Sequence, residues 1–156
     1  MRRILYELTT AYAAAAGCSC EMKEGSCRAV LSIEGMTVNI GIVESSGMML
    51  FQTGVAMLPA GDCREREEFC LKLLSANNLF RDTFGFTLGV DEEQQMVTVQ
   101  IAWDARHLDD EGFACLVNNL LAVSADWMLR LDAWRPSPPE TQSIPGDAIL
   151  MHSLKV

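Results

Sequence analysis

Residues 69–80 (FCLKLLSANNLF), 84–90 (FGFTLGV), 94–103 (QQMVTVQIAW) and 113–131 (FACLVNNLLAVSADWMLRL) read as helix, strand, strand and helix. The two strands alternate. Phe84, Phe86, Leu88 and Val90 share one face of the first, and Val97, Val99, Ile101 and Trp103 share one face of the second, with DEEQ at 91–94 as the turn between them. One apolar sheet face needs a cover, and the flanking helices supply it. Phe69, Leu73, Ala76 and Phe80 form a stripe on the first helix, and Phe113, Leu116, Leu120, Trp127, Leu131 and Trp134 form one on the second. No catalytic group sits in this arrangement.

Working outward, a helix over Arg2–Ala16 is expected to stop at Gly17, which suits the left-handed turn after a helix. A polar link follows, then three strands: CRAVLSIE (27–34), MTVNIGIV (36–43) and MMLFQTGVAML (48–58). Glu34-Gly35 makes a two-residue hairpin turn and 44–47 the next, so the three strands form an antiparallel meander. Asp62 with Glu65 three residues on is a capping pattern, which starts the next helix near Cys63. The predicted fold class is α+β: an antiparallel five-stranded twisted sheet with three helices in the order α-β-β-β-α-β-β-α. Residues 1–134 form the domain. The stretch 135–156 holds four of the five prolines and is expected to be an extended or disordered tail.

A second apolar line on the helix after Asp62 runs through Leu71 and Leu74 toward Asn78, and such a helix needs a second partner. The strand after it carries Gly85, Thr87 and Gly89 opposite its aromatics, a nearly flat face that permits close approach. Leu71, Leu74, Asn78, Gly85 and Thr87 are therefore expected to form a two-fold contact between copies, giving a homodimer.

The net charge of −9 over 156 residues argues against nucleic acid or an anionic membrane as partner. The N-terminal MRRILYELTTAYAAAAG has a signal-like beginning, but Glu7, Thr9, Thr10 and Tyr12 interrupt it and its apolar residues keep helical spacing. Six cysteines, Cys18, Cys20, Cys27, Cys63, Cys70 and Cys115, include no C-x-x-C pair, and His107 and His152 lie far from them. The expectation is reduced cytoplasmic thiols, no metal site and no cofactor. No nucleophile, phosphate-loop or dinucleotide motif occurs, so no catalytic residue is assigned and the chain is not read as an enzyme. His107 sits among Asp104, Asp109 and Asp110 as a surface or capping residue, and Asp91, Glu92 and Glu93 are a solvated hairpin tip. Nine methionines, several in or beside strands, suit surfaces that bind variable segments. Val30 and Val43 fall opposite the core face, and Leu5 lies beside its helix stripe; together they suggest a groove for a peptide.

The element order, with LLSANNLF, FGFTLGVDEEQQMVTVQIAW and DDEGFACLVNNLLAVSADWMLRL, resembles the class I chaperones of type III secretion, the Tir/CesT chaperone family. These motifs are similar to the family's leucine pair followed by asparagine, its L-G-acidic hairpin and its final helix with a late aromatic. The resemblance implies a homodimeric cytoplasmic chaperone that binds the extended N-terminal segment of a secreted effector without ATP. The groove is expected to be lined by Leu5, Leu8 and Tyr12 of the first helix and by Val30, Leu31, Val38, Ile40, Val43 and Leu50 of the meander. The alternative is a chaperone-like protein that sequesters a transcriptional regulator or another secretion component.

Overall fold

The computed structural model describes residues 1–134 apart from residue 81, so the expectation for the tail lies outside the described residues. The chain runs α1 (Arg2–Ala16), β1 (Ser19–Glu21), β2 (Arg28–Ile33), β3 (Met36–Val43), β4 (Met48–Met57), α2 (Cys63–Asn77), β5 (Thr87–Asp91), β6 (Met96–Asp104) and α3 (Asp110–Ala133). The sheet is antiparallel and six-stranded, in the order β1-β2-β3-β4-β6-β5. Five strands were expected. The sixth is β1, whose Ser19-Cys20-Glu21 is too short and polar to show alternation; it exists because it pairs with Val30–Ser32 of β2.

Register sorts the side chains into two faces. Cys20, Leu31, Val38, Thr53, Val99 and Leu88 stand in one row across all six strands on the core face. The row one residue along, Glu21, Val30, Asn39, Gln52, Gln100 and Thr87, lies on the opposite face, because successive strand residues point to opposite sides. A bulge between Gly54 and Ala56 shifts the pairing of β4 with β6 by one residue at the end of the strand.

The caps explain where the helices start and stop. Gly17 adopts φ 65 after α1, the Asp62 side chain accepts from the Glu65 N–H at 3.0 Å, and the Asp109 carboxylate accepts from the Gly112 N–H at 2.8 Å. Helices α1 and α3 cover the core face. Tyr12 meets Phe113 edge-on at 5.8 Å, and its hydroxyl donates to Asn118 Oδ1 at 2.8 Å. Phe113 packs on Phe51 of β4 at 5.5 Å. Helix α3 is long and apolar enough to cross a membrane by length and composition, but its stripe of Phe113, Val117, Leu120, Trp127 and Leu131 is buried in this core. Leu116, expected on that stripe, is only partly buried. Helix α2 lies beside β5, where Phe69 meets Trp134, and Trp134 meets Trp127.

Salt bridges here are exposed. Arg2 grips Glu44 through two hydrogen bonds of 2.9 Å and also donates to the Gly25 carbonyl, tying the start of α1 to two loops. This pairing holds the Glu44 carboxyl below its usual 4.5, first through the Arg2 hydrogen bond. A depressed carboxylate contributes stability above the ordinary value and loses it as pH falls through the folded value. Arg2→Gln should therefore return the Glu44 titration toward 4.5 and flatten the acid-side loss of stability. An NMR pH titration of the Glu44 carboxyl, paired with denaturation at neutral and acid pH, checks both.

Candidate protein-binding surfaces

The connection from α2 to β5 departs from the sequence expectation. Helix α2 ends at Asn77, and Leu79, Phe80 and Phe84 take φ of 57, 51 and 52. This left-handed region is unfavourable for bulky residues. The resulting turns point all three outward: Leu79, Phe80 and Phe84 are 79%, 54% and 71% exposed. The helical and strand periods put Phe80 and Phe84 in the core, but a 3-10 turn at Asn78–Phe80 and the turn that follows interrupt both periods. Strand β5 begins only at Thr87, and the signal that could have shown this is Gly85, which sits at φ 90. Val90 and Trp103, also expected on the core face, stand at its rim, partly exposed.

Leu71 and Leu74 are exposed on the outer flank of α2, and Asn78 and Gly85 are exposed in the connection beyond it. Thr87 differs: it is exposed on the open face of the sheet, paired across to Gln100. One end of the molecule thus carries Leu71, Leu74, Leu79, Phe80 and Phe84 outside the core. An exposed group of this kind marks an interaction surface.

Of the residues expected to line a peptide groove, Leu5, Leu8, Tyr12, Leu31, Val38 and Ile40 are buried in the core. Helix α1 lies on the sheet and fills the space that a groove between them would need, so these six are packing residues in the described chain. Their hydrophobic character serves the packing of α1 on the sheet, because the face it covers is set by where α1 docks. Val30 is half-buried, and Val43 and Leu50 are exposed. All three stand on the open face, which holds a groove of about 550 Å³. Val30, Asn39, Leu50, Gln52, Met96 and Thr98 line it, with Arg28 and the Asp91–Glu93 tip among its other walls. The Met96 thioether lies where a side chain on Gly54 would be, so this part of the groove is filled by a flexible apolar group.

Asp104 is held well below the usual carboxylate range, first by the Arg106 side chain and then by the Arg106 backbone N–H that it caps. Burial pushes the Cys18 thiol and the Tyr12 hydroxyl up. Cys18, Cys20, Cys27, Cys70 and Cys115 are free thiols. Among the described residues, no group of three or more His, Cys, Asp and Glu is placed to hold a metal ion.

The sheet carries helices on its core face and displays apolar side chains on its open face and beside α2. The chain belongs to the Tir chaperone protein (CesT) family, whose model matches residues 10–128. A structure of the ExsC–ExsE complex resembles it with a TM-score of 0.69 at 21% identity, over 83% of this chain and 94% of that one. The ExoU–SpcU heterodimer from the type III secretion system of Pseudomonas aeruginosa gives 0.55 at 18%, over 80% and 94%. YbjN from E. coli, described as a candidate transcription regulator, gives 0.59 at 13%, over 82% and 91%. At these identities the likeness shows the fold alone, and the family match carries the class. No curated protein matches the sequence.

Proposed function

We propose that this protein is a cytoplasmic type III secretion chaperone that binds the N-terminal segment of a secreted effector and keeps it export-competent without ATP. The observation that carries this reading is membership of a chaperone family over most of the chain. It is supported by the fold shared with the ExoU–SpcU secretion complex and by apolar groups on two separate surfaces. An unfolded segment gains main-chain hydrogen bonds by adding to a sheet edge and gains specificity by seating alternate side chains. Strand β1, at one end of the sheet, is the edge we assign to that role, and the groove with Val30 and Leu50, together with Val43 exposed on the same face, receives apolar side chains of the wrapped segment. Leu5, Leu8, Tyr12, Leu31, Val38 and Ile40 act indirectly, by fixing α1 against the sheet beneath that surface.

The functional unit is a homodimer. Leu71, Leu74, Asn78, Gly85 and Thr87 contribute to its contact, joined by Leu79, Phe80 and Phe84. The test is co-expression with N-terminal segments of secreted effectors from the same host. One such segment should co-purify as a soluble complex, and Leu50→Glu should weaken that complex by roughly tenfold or more, the effect of losing one buried leucine. Recovery of none, from a panel covering the host's effectors, would overturn the proposal.

A further inference from the structure

At Leu88 both backbone groups that point away from the sheet are taken by one side chain. Asn77 Nδ2 donates to the Leu88 carbonyl at 2.9 Å, and the Leu88 N–H donates to Asn77 Oδ1 at 2.8 Å. A carboxamide carries the same donor and acceptor as a peptide group, so Asn77 stands where a neighbouring strand would pair. Strand β5 is the last strand of the sheet and is paired on its other side to β6. The geometry is set by α2: Phe69, Leu73 and Ala76 are buried, and they hold Asn77, the final helical residue, against the strand.

The other end of the sheet differs. Strand β1 pairs with β2 alone and carries exposed Ser19 and Glu21, whereas β5 carries exposed Val90 and is preceded by exposed Phe84. By side-chain character β5 is the stickier edge, and an open apolar edge is a template for pairing with another chain. We infer that Asn77 makes the sheet one-ended: it closes β5 to an extended strand, whether from a second copy or from a client, and leaves β1 as the edge that accepts one. The second half of this inference rests on the strand-addition reading above; the first half does not. It also requires copies to meet through side chains of the α2 flank and not by continuing the sheet through β5.

Two measurements test the closed edge without any client, so their failure is distinct from failure of the effector proposal. In the unmodified protein, amide hydrogen exchange at Leu88 should be roughly tenfold or more slower than at Val90, the next residue facing outward on the same edge. Equal rates would overturn the cap. In Asn77→Ala, sedimentation should show a species of twice the wild-type mass, because two freed β5 edges close on each other by two-fold symmetry. Adding Val90→Pro, which removes an outward N–H while leaving the ladder to β6, should restore the wild-type mass. An unchanged mass in Asn77→Ala, or a gain that survives Val90→Pro, would overturn the inference.

Discussion

Replacing Trp127 with alanine is expected to destabilise the protein by about 3–5 kcal/mol, the range for removing a large aromatic from a core. Trp127 is 1% exposed and is the largest fully buried side chain in the described chain. It stacks edge-on with Trp134 at 5.7 Å, and through Trp134 it reaches Phe69 of α2; the Arg130 guanidinium lies 5.2 Å from its ring. Loss of the ring would loosen α3 and α2 together. Since a domain of this size has roughly 5–15 kcal/mol in total, the variant should lose a large fraction of its stability. Trp127→Phe should cost much less. It keeps most of the buried ring and removes an indole N–H that has no hydrogen-bond partner in the described chain. Urea denaturation of both variants, with a common slope, measures the difference.

The second large effect is on association. Changing Leu71 and Leu74 together to glutamate should convert the proposed homodimer to monomer while leaving the unfolding free energy of each chain within about 0.5 kcal/mol, as expected for exposed positions. They are 64% and 66% exposed, so their contribution is absent from the isolated fold and present only in the contact. A two-fold contact uses each leucine twice. At about 1.5 kcal/mol or more per buried leucine, the loss is on the order of 6 kcal/mol, a weakening of more than ten-thousandfold before charge repulsion is added. Sedimentation equilibrium across a concentration series decides it. A variant that keeps the wild-type mass would move the contact away from α2.

The two predictions depend on parts of the chain that were unequally legible. Trp127 lies on an apolar stripe of helical period, of which Phe113, Leu120, Trp127 and Leu131 are buried while Leu116 and Trp134 are only partly so. Leu71 and Leu74 formed a second line on a helix that already had one, and they remain outside the core. Phe80 and Phe84 lie outside the core because periodicity carries no information about where a regular element ends. Gly85 was the local warning. Asn77 was also visible in LLSANN, but its pairing with Leu88 joins residues whose approach depends on how α2 docks.

Local sequence determined where the helices start, their caps, the two-residue turn at Glu34-Gly35 and the inward residues at the middle of each long strand, because these follow from backbone preference and side-chain period within a few residues. Tertiary structure alone decided that β6 lies between β4 and β5, that Ser19–Glu21 becomes a strand, and that α1 seals Leu5, Leu8 and Tyr12 against the sheet. Those outcomes depend on contacts between segments far apart in the chain. An apolar pattern states that a face must be covered, and only packing chooses which segment covers it.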